Sequence, residues 1–446
     1  MTEPRRKLER TELPNPPRAN SHPLSSLHPA DIADYIEQMD EENRNELFSR
    51  LNMKTASNVL LEMHEHPREQ LLETMDRQDL VHMVEEMDSN DAAEIIRDLP
   101  ENEADSLLKN LKKVELEEVQ QVLRYQPDSA GGIMQVELFS VRAGMLIEDV
   151  VVQFIASSDE PKDIPMIYVI DAVGKLVGTL HVGELLRHKP VQPVVDVMDK
   201  EFVFVTATED QEDVARIFKK YDAISLPVLD DGGKLLGHIL VDDVVDVMHE
   251  EASEDMLRIA GIYDYENVFA SPLTSVRLRF PWLVLNLATA AVAASIIGLF
   301  EETIKNLVIL AVLMPIVAGM GGNAGTQALT VTIRGLALGE LTRRNGKQVI
   351  MKGFLVGLMN GFIVGILMGV ISYLWEGNLT LSAVMFAAMV LNLIVANLFG
   401  ILIPLFLKKI RIDPAIASSV FLTSLTDSIG FISFLGLSKI FLDSGS

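Results

Sequence analysis

Cysteine is absent from all 446 residues, which excludes disulfides and thiolate metal sites. A secretory signal is missing too: the opening MTEPRRKLER has no apolar run behind its charges, and residues 1–27 read as a disordered lead. There is no GxxxxGK(S/T) phosphate loop, and no nucleophile–base pair stands out that would make the chain an enzyme. Negative charge is withheld from one end. Residues 271–446 hold 7 Asp+Glu against 12 Lys+Arg, a net of +5 in a chain whose total is −25, so residues 1–270 carry −30. Two physical environments share one polypeptide. The acidic part would repel the phosphates of nucleic acid, which is not an expected partner, and would attract cations.

The acidic part contains a twelve-residue repeat. Every twelfth position from Met39 is apolar (Leu51, Met63, Met75, Met87, Leu99, Leu111), and so are the series that start at Tyr35 and Ile36. Positions i, i+1 and i+4 share one helix face. Turn-type residues such as Asp76, Pro100 and Glu101 punctuate the units. Each unit reads as a short helix that cannot bury its own stripe, so stacking into a solenoid is expected.

A second duplication follows. IPMIYVIDAVGKLVGTLHVGELL (164–186) aligns with ISLPVLDDGGKLLGHILVDDVV (224–245), and the pieces GKLVG and GKLLG stand 59 residues apart. Each copy reads as a strand, a glycine turn, a second strand and a helix. The arrangement resembles a tandem pair of CBS domains, which implies a module that senses adenosine nucleotides or ions. Acids crowd its end: Asp243, Asp246, Glu250 and Glu254 recur three or four apart and share a helix face. Like charges at that spacing repel. An oxygen-rich cluster without Cys or His suits Mg2+ or Ca2+; a merely solubilising acidic surface is the alternative.

Five apolar stretches long enough to cross a bilayer occupy the remainder, at about 280–300, 306–333, 350–374, 381–407 and 414–441. Ten basic residues in or beside the loops on one side, against one on the other, place the acidic part in the cytoplasm and the C-terminal LDSGS outside. In the second span, PIVAGMGGNAGTQALTVTIRG (315–335) puts a proline, a glycine run and two amides at bilayer depth. Pro315 with Gly319, Gly321, Gly322 and Gly325 predicts a kinked backbone with bared carbonyls beside a wet cavity, flanked by Asn323 and Gln327. A small-residue packing motif is the alternative. The fifth span holds Asp427, the only carboxylate well inside any span, on one stripe with Ser419 and Thr423. An acid there costs about 2.5–3.5 kcal/mol even on lenient insertion scales. No lysine or arginine lies at matching depth, so the expected partner is a passing cation or a proton; a protonated structural aspartate is the alternative.

The run PIVAGMGGNAGTQALTVTIRGLALGE (315–340), the IDPAIASS start of span five and the TD at 426–427 resemble the MgtE family of magnesium channels and transporters. The expected plan is a multidomain membrane protein. After the lead come an all-α superhelical N-domain over 28–132, a tandem α/β CBS pair over 133–249, a connecting helix and linker over 250–275, and a five-helix transmembrane domain over 276–446. The resemblance implies a homodimer in the plasma (inner) membrane, taking up Mg2+ down its gradient through a pore on the two-fold axis. Asp427 from each chain would hold the ion, with Gly321, Gly322, Asn323, Gly325, Gln327, Ser419 and Thr423 lining the path. Intracellular Mg2+ would close the pore by binding three groups of acids. These are Asp91 and Glu94 in the N-domain, then Asp210, Glu212 and Asp222 in the second CBS copy, then Asp243, Asp246, Glu251, Glu254 and Asp255 along the connecting helix. Asn90 stands where a family acid can occur. The resemblance also implies ATP between the CBS copies, with Tyr168 and Glu184 placed for it, although Gly183 and Glu184 replace an Arg-Asp pair. A proton-coupled divalent cation exporter and a membrane-anchored nucleotide or ion sensor remain open as other classes.

Overall fold

A computed structural model describes residues 27–157, 164–262, 266, 268–342, 344–410, 412–415 and 418–442. The expected lead lies outside the described residues except for Leu27, as do Arg343, Arg411 and residues 443–446. The chain divides into two compact bodies, residues 1–247 and 248–446.

The first body opens with eight short helices: α1 (Pro29–Glu37), α2 (Glu41–Phe48), α3 (Met53–Glu62), α4 (Glu65–Thr74), α5 (Arg77–Val84), α6 (Ser89–Asp98), α7 (Glu101–Asn110) and α8 (Lys113–Leu123). Their N-caps fall at His28, Asp40, Asn52, His64, Asp76, Asp88, Pro100 and Lys112, so the period of the sequence repeat is the spacing of helix starts. Asp40 accepts from Asn43 N at 3.0 Å, Asn52 from Thr55 N at 2.9 Å and Asp76 from Gln78 N at 2.8 Å, each satisfying a donor that a helix end leaves orphaned. Helices two apart pack together, α1 on α3, α3 on α5, α5 on α7 and α6 on α8, as a solenoid requires. Ile36, Val59, Leu60 and Ile95 of the periodic stripes are fully buried in the shared core.

The duplication forms two small sheets of the same topology. In the first, β1 (Ser140–Arg142) leads through α9 (Ile147–Ser157) to β2 (Met166–Ile170), which pairs parallel with β1 and antiparallel with β3 (Leu176–His181). In the second, β4 (Val205–Thr206), α10 (Gln211–Tyr221), β5 (Ser225–Leu229) and β6 (Leu235–Leu240) repeat that pattern. The repetition reaches individual hydrogen bonds. Asp171 accepts from Val173 N and Lys175 N at 2.8 and 2.9 Å, and Asp230 accepts from Gly232 N and Lys234 N, both at 2.8 Å. Gly174 and Gly233 take the left-handed conformation in these turns, with φ of 86° and 80°. The turns then join the copies reciprocally, Leu176 N to Gly233 O at 3.2 Å and Leu235 N to Gly174 O at 3.1 Å.

The copies differ at their ends. The helix expected after the first is only a 3-10 turn, Val182–Leu186, whereas the second runs straight into α11 (Val241–Ile259). The connecting helix therefore starts at Val241, inside the second copy, and not at residue 250. Ala130 and Met134, on either side of the expected boundary at 132, both pack into the core of the second copy. Gln135 and His238 exchange backbone hydrogen bonds of 2.7 and 2.9 Å there.

The second body holds α12 (Pro272–Gly298), the short α13 (Glu301–Asn306), α14 (Ile309–Ala337), α15 (Gly346–Glu376), α16 (Leu379–Lys409) and α17 (Ser418–Leu442). All but α13 are long and apolar enough to cross a membrane. Central to the packing is α16, which touches α14, α15 and α17. Against α15 the approach is backbone-close: a Cβ on Gly357 would stand 2.8 Å from Ile394 Cα, and one on Gly361 2.9 Å from Val390 Cα. Pro315, where a kink is expected, does not end the helix. α14 stays helical from Ile309 to Ala337, glycines included, because a proline forfeits one bond of the ladder while a spanning helix satisfies its remaining backbone internally.

Candidate functional site

α14 has two unlike sides. Val317, Gly321, Gly325 and Leu329 are buried, whereas Asn323 and Gln327 are exposed and Gly319 and Gly322 have open space where a Cβ would point. Gly321 and Gly325, expected along the path, are buried on the packed side of this chain. A Cβ on Gly321 would stand 2.5 Å from Asn392 Nδ2, and one on Gly325 3.1 Å from the Leu422 side chain. Their missing side chains admit α16 and α17, and their carbonyls belong to a continuous helix instead of being bared.

On α17, Asp427 is half-buried, and among the described residues it has no hydrogen-bond or ion-pair partner. Thr423, one turn earlier, is exposed and donates to Ser419 O at 2.9 Å. On α14, Thr330 likewise donates to Thr326 O at 3.0 Å. A hydroxyl whose proton is committed to its own helix still offers lone pairs outward, so it can accept from the water around an ion.

Sequence reasoning missed two relationships here. Asn392 of α16 is 0 % exposed, and its Nδ2 donates to Val317 O at 2.7 Å. Two asparagines inside the apolar run MVLNLIVANLFG were the available signal, since an amide at that depth calls for a partner as surely as Asn323 does. The second is Arg258, near the end of α11, which bonds both Glu254 and Asp413. Ile259 beside it packs with Leu329, Ile333, Ala415 and Leu422, so the end of the connecting helix is seated on α14 and the start of α17.

Three family models match the chain. A divalent cation transporter family model, MgtE, matches residues 314–437; the MgtE intracellular N domain matches 27–128 and a CBS domain matches 194–250. The magnesium transporter MgtE of Bacillus subtilis is 33% identical over 330 residues, 74% of this chain and 73% of that one. That of Thermus thermophilus is 34% identical over 329 residues, 73% of each. The chain belongs to the MgtE family of magnesium transporters. A solved structure of the cytosolic domain of the Mg2+ channel MgtE in complex with ATP is 31% identical, with a TM-score of 0.48, covering 50% of this chain and 91% of that one.

The expected regulatory acids of this MgtE-family chain are only partly brought together. Asp91 on α6 and Asp243 on α11 share a crowded polar patch. Asn90 Nδ2 donates to Asp243 Oδ1 at 2.9 Å, Gln135 Nε2 to Asp243 Oδ2 at 3.3 Å and Leu240 N to the same oxygen at 3.1 Å. Asn90 therefore works as a donor to the acid opposite it. Burial, then the charges of Asp243, Asp88, Glu94 and Glu137, push the Asp91 carboxyl up to about 8. Burial pushes Asp243 up to about 7. Glu94 also pairs with Arg68 at 2.7 Å.

The acids of the second CBS copy are spread along α10, and those of α11 follow Asp243 along its helix. Asp210 caps α10 by accepting from Glu212 N at 2.9 Å, and Glu212, raised by burial, pairs with Arg216 at 3.0 Å. Asp222 ends the same helix in a left-handed conformation, φ 49°, so the length of α10 separates it from Asp210. Asp246, Glu251, Glu254 and Asp255 follow along α11. Among the described residues no group of three or more His, Asp or Glu side chains is poised to hold a metal ion.

Tyr168, expected beside a nucleotide, sits where the two CBS copies meet. It is wholly buried, with its hydroxyl 2.5 Å from Ser225 Oγ and 3.3 Å from His238 Nδ1. Glu184 is engaged by Arg187 at 2.7 Å, which holds its carboxyl below the ordinary range.

Proposed function

We propose that this chain is a channel-like pathway for Mg2+ uptake, built by a homodimer in the plasma membrane and closed by intracellular Mg2+. Asp427 carries the reading: it is half-buried in a span and lacks any partner among the described residues. An unpartnered carboxylate at that depth is costly unless a cation visits it. Asn323, Gln327 and Thr423 are exposed on their helices and offer neutral acceptors, and a second copy of the chain would cover them.

Magnesium sheds its inner waters reluctantly. A path of amides, hydroxyls and two aspartates recognises the hydrated ion through the protons of its water, and the aspartates supply the charge. An inward potential of about 100 mV contributes roughly 4.6 kcal/mol for a divalent ion, so uptake needs no ATP hydrolysis. The excess of basic residues in the loops on one side supports a cytoplasmic acidic half and a C-terminus outside. When internal Mg2+ accumulates, it bridges acids such as Asp91 and Asp243 and draws the regulatory parts into the closed arrangement, which requires tighter binding to that form.

The test is Mg2+ uptake into proteoliposomes by wild type and Asp427→Ala. Uptake abolished in the variant is the expected result, and equal rates would overturn the reading. Efflux driven by an imposed proton gradient would favour a proton-coupled exporter.

A further inference from the structure

Asn392 occupies a position where a leucine would pack without polar cost. Its carboxamide is 0 % exposed, and only one end of it is satisfied: Nδ2 holds Val317 O at 2.7 Å, while Oδ1 has no partner among the described residues. Two glycines make room for it from opposite sides. A Cβ on Gly321 of α14 would stand 2.5 Å from Nδ2 and 2.9 Å from Oδ1, and a Cβ on Gly430 of α17 would stand 3.2 Å from Cγ, Nδ2 and Oδ1. Those are the two helices that carry Asn323 and Asp427. Gly321 lies two residues before Asn323, and Gly430 three residues after Asp427.

We propose that Asn392 is a positioning residue whose carboxamide, wedged between Gly321 and Gly430, sets the separation of α14 and α17 and thereby the spacing of Asn323 and Gln327 from Asp427. The proposal rests on the transport reading above and adds a specificity determinant that touches no ion. The bond to Val317 O pins the wedge along α14. The unsatisfied Oδ1 shows that the amide is not held there by hydrogen bonding alone, so its volume between the two backbones is its contribution. A hydrated ion is read by water-mediated contacts, and those are lost when opposing groups shift by a fraction of a hydrogen-bond length.

The experiment is a size exchange in the full-length chain, reading half-saturation for Mg2+ uptake, the preference for Mg2+ over Ca2+, the maximal rate and the thermal midpoint in detergent. Gly321→Ala pushes a methyl into the amide, Asn392→Ala removes the amide, and the double variant returns a small group to the gap. Each single variant is expected to raise half-saturation by about tenfold, the scale of one lost interaction, and to lower the preference for Mg2+. The double variant is expected to recover most of both. A merely structural role would lower the maximal rate and the thermal midpoint and leave half-saturation and preference in place.

Wild-type half-saturation and preference in Asn392→Ala would overturn the proposal, as would a double variant no better than its parents. If Asn392→Ala does not fold, the double variant against Gly321→Ala alone carries the test. Asp427→Ala in the same assay separates the two readings: loss there with unshifted Asn392→Ala removes the wedge alone, and a wild-type chain that moves no magnesium removes both.

Discussion

Asn90 and Asp243, 153 residues apart in the chain, are joined by a 2.9 Å hydrogen bond in which the amide donates to the carboxylate. An uncharged residue thus meets the connecting helix beside Asp91, and the half-buried carboxyls of Asp91 and Asp243 lie close enough to repel each other. Both titrate above their ordinary range, Asp91 at about 8 and Asp243 at about 7. The folded state therefore holds more protons than the unfolded state from the ordinary carboxylate value of 3.8 up to those values, and stability falls as pH rises through that window. Without Mg2+, the unfolding free energy of the acidic half should rise as pH is lowered from about 8 to about 6, by up to about 1.4 kcal/mol per pH unit for each carboxyl, as thermal unfolding would read. Asp91→Asn with Asp243→Asn should flatten that dependence; an unchanged slope would count against the cluster.

Neutralising Asp243, Asp246 and Glu254 together, as Asn, Asn and Gln, should leave currents insensitive to internal Mg2+. The mutual repulsion that the ion is proposed to relieve would already be gone. Inhibition of wild-type strength in recordings from the triple variant would end the regulatory idea.

Arg258 bonds Glu254 on its own helix and Asp413 before α17. Arg258→Met removes both, a loss of about 1.5–3 kcal/mol for each hydrogen bond to a charged group in a partly buried setting. The native chain has no cysteine, so a pair introduced at Ile259 and Ala415, which share one apolar cluster, would be the only thiols present. Cross-linking of that pair by a short reagent should slow when Arg258→Met is added.

Glycines of the membrane half should divide by what lies in front of them. Gly357→Ala drives a methyl to 2.8 Å from Ile394 Cα, where only backbone can yield, and should destabilise by about 1–3 kcal/mol. Gly322→Ala points into open space and should change the thermal midpoint little while altering Mg2+ uptake. Thermal unfolding in detergent, beside uptake, checks the pair.

The helical solenoid was legible because one spacing of twelve carries both the buried stripe and the caps, from Asp40 to Asp76. The CBS pair was legible in GKLVG and GKLLG because those turns need glycine at positive φ in both copies. The glycine run of α14 offers two readings in sequence, bared backbone or close packing. Composition cannot tell a glycine that bends a helix from one that admits a neighbour, and only Asn392 opposite Gly321 and Leu422 opposite Gly325 make that distinction. Tyr168 was likewise placed on the right strand but without the partners, Ser225 and His238, that enclose it.

Local composition alone determined which segments enter the bilayer, which carry the cation-attracting charge, and that one aspartate stands at depth. Burial cost and charge are properties of each residue type, so they need no neighbours to be read. Which side of α14 packs and which stays open, that Arg258 reaches Asp413, and that Asn90 meets Asp243 were decided by the tertiary structure. These are relations between segments far apart in sequence, and their energies exist only once packing has brought the groups within a few ångströms of each other.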